Sequence, residues 1–438
     1  MNAEARIRTP AEQGLAAQIE TLRPKLPGKG AVARLREEAA NAFLQGGLPH
    51  RRIEEWKYTD VRAALREAAP LAAPPDAKAI AAARALDPLP GVEARRIVLV
   101  NGSFVGGLSD VKILEKGLAI RSLAAALAKG DLPVRFGTLA PDGYDALFAL
   151  NTAFLNDGVI IEIAPGAVIE RPIHVMHVFV GDTPGATFAR VFMSIGKGAR
   201  ATLVESFVGS GKTHQGNSAS EFILDEAGAL LAVRADIEDA GWRYASVLAE
   251  IGKNARLNTF ALTTGAALSR NALTVRFQGE KADATLAGAT LLRGRQHSDT
   301  SLVVDHAAPG GTSRELFKSA LDDESRGVFQ GRIVVRPGAQ KTDARMLTGA
   351  LLLGEAAEAD NKPELEIFAD DVQCGHGATA GALDENLLFY LRARGIPLKE
   401  AEALMVESFV GAPLETIAHE GIREALAERV RAWLAERR

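Results

Sequence analysis

The feature that most constrains this chain is a segment that keeps returning. IEIAPGAVIERPIHVMHV, FMSIGKGARATLVESFV, FILDEAGALLAVRADI, AEIGKNARLNTFALTTG, VRFQGEKADATLAGATLL and GRIVVRPGAQKTDARMLTG each read as a short strand, a tight polar or glycine-containing turn, and a second short strand. Their turn residues Gly166, Gly198, Gly228, Asn254 and Glu280 follow one another at intervals of 32, 30, 26 and 26. Strand-only repeats of that irregular length predict a β-solenoid, whose coils bury their inward residues only by stacking and which therefore needs a cap at both ends. A large β-sandwich is the competing fold, but it gives no reason for similar segments to recur at an interval.

The flanks have a different texture. Residues 1–90 are rich in Ala, Leu, Arg and Glu, with apolar residues at helical intervals such as Val32, Leu35, Ala39 and Phe43, and they end in the linker-like APLAAPPDAKA. Within them lies RRIEEWKYTDVRAAL, where Trp56 and Tyr58 flank Lys57; it reads as a packing anchor at a helix start, with Thr59 or Asp60 as cap. Residues 91–150 form a mixed α/β connection, 151–382 the solenoid, and 383–438 a helical end. There LDENLLFYLRARG reads as a helix with Asp384 near its N-cap and Gly395 just past its end, and Pro397 opens the next. In the last segment Ile422, Leu426, Val430 and Leu434 make an apolar stripe at four-residue steps, which either packs on its own domain or docks a partner.

Composition narrows the partners. Lys and Arg number 51 against 55 Asp and Glu, a formal net charge of -4, which gives no broad attraction for nucleic acid or an anionic membrane. The single cysteine, Cys374, excludes an internal disulfide and fits a reducing compartment. It equally prevents the chain from building a four-thiolate metal or cluster site by itself. The N-terminus is a poor signal peptide, and no run of about 18 apolar residues is present to span a bilayer, so a cytoplasmic location is expected.

Four constellations invite chemistry. GSGKT at Gly209 to Thr213 suggests a phosphate-binding loop, but Ser206 stands where the first glycine belongs and the following residues promise a strand rather than a helix, so a solvated loop is expected. His174 and His177 lie three apart and so face opposite sides of a strand; they read as one core or ladder histidine and one surface histidine. His297 and Asp299 share a strand face, with Asp305 and His306 further along, and read either as an internally satisfied polar ladder or as the acid–base groups of a solenoid hydrolase or lyase acting on polysaccharide. For that hydrolase reading aromatic content is low, at 5%. Cys374 and His376 lie in the glycine-flanked QCGHGATAG, which reads as an irregular segment where strands give way to helix; thiol and imidazole together suit iron or zinc, and two ligands require others from elsewhere.

These residues resemble the SufB/SufD family of scaffold proteins of the SUF iron–sulfur cluster assembly system. The resemblance is carried by RRIEEWKYTD, by HSDTSLVVDHAAPGGTSRELFKSALDDESRGVFQGRIVV, by QKTDA and by NKPELEIFADDVQCGHGATAGALDENLLFYLRARGIPLKEAEALMVESFVG, and it covers nearly the whole chain. It implies a right-handed parallel β-helix core between N- and C-terminal helical regions. It also implies pairing with a SufB-type paralogue through the cores, docking of the SufC ATPase by the C-terminal helices, and a non-enzymatic part in de novo cluster assembly and iron acquisition. SufB-type sequences carry Glu-His-Glu-Ala-Thr where this chain has Gly375-His376-Gly377-Ala378-Thr379, and a cysteine about 28 residues earlier, where Thr348 stands here. The chain thus resembles the SufD type. What that implies is His376, with Cys374, contributing to a transient cluster shared with SufB, no cluster held stably by the isolated chain, and self-pairing as an alternative when SufB is absent. A SufB-like chain that accepts the cluster itself is the runner-up.

Overall fold

The computed structural model describes residues 8–209, 214–237 and 241–437. From Asp157 onward the strands are laid alternately into two sheets, and each from Ala186–Ile195 on pairs in parallel with the strand two before it. One sheet stacks Ile173–Phe179, Arg200–Gly209, Ala229–Asp236, Arg256–Thr263, Asp283–Leu292, Thr312–Leu321, Asp343–Leu352 and Gln373–Gly381. The other stacks Asp157–Ile163, Ala186–Ile195, Gln215–Leu224, Trp242–Ile251, Leu268–Phe277, His297–His306, Arg326–Val335 and Glu358–Ile367. This is a parallel β-solenoid of about eight turns, not a sandwich, whose sheets would pair antiparallel.

The repeating turn is held by one device. Gly166, Gly198, Ala227, Asn254, Lys281, Gly310 and Lys341 all have positive φ, between 53° and 72°. Each donates its backbone N–H to the turn of the next coil, at Lys197, Glu226, Lys253, Glu280, Pro309, Gln340 and Asp371 respectively. A left-handed residue costs a non-glycine about 1–2 kcal/mol, and the ladder of inter-coil hydrogen bonds offsets that cost at Ala227, Lys281 and Lys341. The expected positions Gly166, Gly198 and Asn254 are the ladder residues; at the other two turns the ladder residue is Ala227 rather than Gly228, and Lys281 rather than Glu280.

Inside the solenoid, in-register positions stack into columns. Met193, Phe222, Ala249, Val275, Val304 and Ile333 lie in one column, all buried in a single core. Each large apolar member contributes roughly 1.5–3 kcal/mol by leaving water. His177 also points inward, stacked on Phe207 with ring centroids 4.3 Å apart, and its Nε2 lies 3.2 Å from Glu205. His174 faces the other way, as its spacing requires, yet it is buried rather than on the surface. Strand Arg95–Val100 pairs with its strand, and helix Ala77–Arg84 packs on the outer face of that pair, so His174 bonds Ser206 at 2.8 Å under cover.

The outer sheet faces take the helices. Pro10–Leu22, capped by Thr9 and Glu12, and Ala31–Gly46 join Trp56, Phe154, Phe188 and Tyr244 in a core over the second sheet. Leu398–Leu414 and Glu420–Glu436 lie on the first sheet against Val233, Phe260, Leu262, Ala289 and Leu291. Ile422, Leu426, Val430 and Leu434 belong to that seam and are 0, 0, 1 and 8% exposed. The docking half of their reading is therefore corrected: a four-residue stripe on a terminal helix finds its cover on the solenoid's own flank.

The two ends of the solenoid differ. At the start, short antiparallel strands close both sheets: Ser103–Phe104 on Arg95–Val100, and Leu118–Ser122 on Asp157–Ile163. At the finish, Gln373–Gly381 and Glu358–Ile367 are the last strands of their sheets and each pairs on one side only.

Candidate functional site

Cys374 and His376 lie on the open last coil. In register, Cys374 follows Ala344 and His376 follows Met346, both members of the interior core, so the two side chains share the inward face of the final strand. Cys374 is half-buried and packs against that core, whereas His376 is exposed. Burial pushes the Cys374 thiol up, reinforced by the nearby charges of Asp343 and Glu315 and opposed by a hydrogen bond with the Ala344 backbone. A thiol held protonated is a poor ligand until a metal displaces its proton. An open depression of about 350 Å³ runs over the edge between Arg345, Leu347, Cys374 and His376.

Among the described residues no group of three His, Cys, Asp or Glu is gathered to hold a metal. Thr348, one strand below Ala378, is buried, and its hydroxyl donates to Asn361 Oδ1 at 3.1 Å across the two sheets. Where a third ligand would help, the chain has a neutral hydrogen bond that closes the last coil. Thiol and imidazole thus face an unpaired sheet edge with no third candidate ligand gathered beside them among the described residues.

Beneath them is a group that the residue pattern alone did not single out. Glu315 precedes Met346 and His376 in their column, is buried, and among the described residues neither of its carboxylate oxygens has a hydrogen-bond partner. Burial pushes its carboxyl up to about 7. The alternation Ser313, Glu315, Phe317 was the available signal, since it sets Glu315 on the same face as an apolar neighbour.

His297, Asp299, Asp305 and His306 do not converge. The Thr59 hydroxyl donates to Asp299, a carboxylate that can only accept, so His297 Nε2–H donates to Thr59 Oγ1 at 2.9 Å. Asp299 also pairs with Arg270, whose guanidinium lies 3.7 Å from the Trp56 ring centre and donates to Glu55 O at 2.8 Å. Asp305 pairs with Arg336 at 2.9 Å on the outer face, and His306 points inward onto Phe277 and bonds Ser313 at 3.0 Å. The polysaccharide hydrolase or lyase reading is overturned, because each candidate acid or base is engaged internally. His297 and Asp299 instead clasp the WKYTD segment to the solenoid, with Asp60, not Thr59, capping helix Val61–Ala64.

GSGKT begins at Gly209, the last residue of a strand, and its remainder lies outside the described residues; the next element is strand Gln215–Leu224, not the helix a phosphate loop needs. No helix among the described residues is long and apolar enough to cross a membrane.

Comparison with known proteins agrees with this architecture. Residues 178–409 match the family described as SUF system FeS cluster assembly, SufBD core domain, and residues 28–175 match the SufBD protein N-terminal region. The chain is 32% identical over 396 residues to an iron–sulfur cluster assembly SufBD family protein of Synechocystis, spanning 87% of this chain and 86% of that protein. It is 28% identical over 405 residues to the iron–sulfur cluster assembly protein SufD of Escherichia coli, spanning 89% and 90%. It is 25% identical over 286 residues to SufD of Bacillus subtilis, spanning 64% and 65%. A solenoid that ends in an open edge bearing a thiol and an imidazole, matched over both of its family regions, makes this chain a member of the SufBD family of SUF-system iron–sulfur cluster assembly proteins.

Proposed function

We propose that the chain is a SufD-type scaffold subunit, non-enzymatic and cytoplasmic, that pairs with a SufB-type paralogue through the open end of its solenoid. The observation that carries this reading is the incomplete ligand set at that end: Cys374 and His376 face an unpaired edge, and no third His, Cys, Asp or Glu joins them among the described residues. A nascent cluster would be cargo at the junction, with this chain supplying imidazole and thiol and the paralogue supplying the remaining ligands. The hydrogen-bonded Thr348 favours this over the reading in which the chain accepts a cluster itself.

The SufC ATPase would dock on the C-terminal helices. With the Ile422 stripe turned inward, the surface available to it is Leu387, Phe389 and Tyr390 on helix Glu385–Arg392, together with Leu398 and Leu404 on the next helix, all exposed. The helix Leu398–Leu414 rests on strands Thr312–Leu321 and Asp283–Leu292, which lie two and three strands from the open edge strand. Movement of an ATPase on this helix would therefore be felt at the junction through packed side chains. Co-expression with SufB and SufC homologues tests the reading: His376→Ala should leave the complex intact and lower cluster formation. Unimpaired cluster formation in that variant, or failure of the wild-type chain to capture either homologue, would overturn it.

A further inference from the structure

A cleft of about 730 Å³ opens where the WKYTD segment meets the second sheet, lined by Lys57, Tyr58 and Asp60 from the segment and by Leu268, His297 and Arg326 from the strands. That is the size of a small-molecule site, at the kind of junction between packed units where such sites form. Its charge runs against that of the chain: Arg51, Lys57 and Arg326 line it with one carboxylate, Asp60, on a protein of formal net charge -4. Arg326 is engaged by Asp360 at 2.6 Å, and Asp60 accepts the Ala63 N–H at 3.0 Å. Arg51 and Lys57 are exposed, and neither has an ion-pair partner among the described residues; Lys57 Nζ stands 5.4 Å from the Tyr58 ring centre. Two uncompensated cations at one rim attract a compact anion, and a guanidinium beside an ammonium suits phosphate.

His297 adds a second requirement. Its Nε2–H is spent on Thr59, which leaves Nδ1 with a bare lone pair and no partner among the described residues; the ring is half-buried and Nδ1 is not sealed from solvent. Burial holds the imidazole below its ordinary 6.5 despite the neighbouring Asp299, so it is neutral at pH 7. A bare lone pair repels a phosphate oxygen and accepts an O–H. A ligand that satisfies the whole cleft therefore carries both an anionic group for the rim and a hydroxyl for the ring.

We propose that this cleft binds a small phosphomonoester that also bears hydroxyl groups, of the sugar-phosphate or nucleotide class, with its phosphate on Arg51 and Lys57 and a hydroxyl donating to His297 Nδ1. The rim is open to water and screened by salt, so Kd is on the order of 0.1–1 mM. The inference stands independently of the scaffold reading.

The test is titration of the full chain, carrying 13C-methyl alanine, with ribose 5-phosphate, adenosine 5′-monophosphate and methyl phosphate at equal ionic strength. Ribose 5-phosphate should shift the methyl signals of Ala63, Ala64 and Ala267, which line the cleft, and should bind about fivefold or more tightly than methyl phosphate, which has no hydroxyl. Tighter binding of the nucleotide than of ribose 5-phosphate supports the proposal and assigns the nucleotide class; equal or weaker binding supports it and assigns the sugar phosphates. Exchanging both rim cations, Arg51→Gln with Lys57→Gln, should weaken ribose 5-phosphate about tenfold or more while leaving Tm within about 1 °C. Ala267→Trp, at an exposed wall position, fills the cleft and keeps every charge, and should abolish the shifts of Ala63 and Ala64. Equal affinity for methyl phosphate and ribose 5-phosphate, shifts confined to other alanines, or binding retained in Ala267→Trp would overturn the proposal.

Discussion

The Thr59 hydroxyl lies 2.9 Å from His297 Nε2, although the two residues are 238 positions apart in the chain. That contact, the Asp299–Arg270 pair and the Trp56 ring beneath Arg270 make a clasp between the N-terminal helices and the second sheet. Thr59→Val keeps the shape and leaves Asp299 and His297 with one partner fewer in a buried site. The expected loss is about 1–3 kcal/mol, with faster hydrogen exchange over residues 50–65 and little change in the solenoid strands. Thr59→Ser should restore both.

Stability should respond to pH from both sides of the interior. Burial holds the His306 and His174 imidazoles down at about 4, below their ordinary 6.5, so their contribution is present above pH 6.5 and is lost as pH falls toward 4. Glu315 runs the other way. Its carboxyl is raised to about 7, so its proton favours the fold below pH 4.5, and that contribution is lost as pH rises through 7. Glu315→Gln, which keeps the shape and removes the buried charge, should raise stability by about 1–3 kcal/mol at pH 8 and by little at pH 4.5. Urea unfolding at the two pH values measures the difference; an equal effect at both would show that the carboxyl is not held protonated.

The ladder of left-handed turns makes a prediction of opposite signs at equivalent places. Ala227→Gly removes a strained φ of 57° and should stabilise by about 0.5–1 kcal/mol after allowance for glycine's greater freedom when unfolded. Gly198→Val, at φ 68°, should destabilise by about 1–2 kcal/mol or more. Thermal unfolding of the two variants decides whether the ladder, rather than general turn polarity, sets the repeat.

The C-terminal helices separate docking from packing. Leu426→Ala opens a fully buried site and should cost about 2–5 kcal/mol. Phe389→Ser, at a residue 73% exposed, should leave Tm within about 1 °C and weaken capture of a SufC homologue tenfold or more. Unchanged capture would place the docking surface elsewhere.

The solenoid was legible because its defining signal is internal: the same strand, turn and strand recurs, and only stacking buries such units. At Cys374 and His376 the residues named a thiol beside an imidazole, but their glycine-flanked segment read as irregular, whereas it forms the last strand, Gln373–Gly381, and only that strand puts the two on one face. What the residues did not reveal were contacts between distant segments. Nothing local to Thr59 distinguishes a helix cap from a clasp on His297, and nothing local to Ile422, Leu426, Val430 and Leu434 says whether the cover is a partner or the flank of Phe260 and Leu262. The expectation that one of His174 and His177 would be a surface residue failed for the same reason, since the helix that covers His174, Ala77–Arg84, lies far before it in the chain.

The difference between the two ends of the solenoid also sets a stoichiometry. A rod of stacked parallel strands with two bare edges is a seed for filaments, each added copy presenting the edge that the next one needs. Here the starting end finishes in two short reversed strands, Ser103–Phe104 and Leu118–Ser122, of 2 and 5 residues, whereas the finishing strands run to 9 and 10 residues and offer the longer bare edge. Two such chains, alike or unlike, that meet edge to edge consume both of their bare ends and stop at a pair.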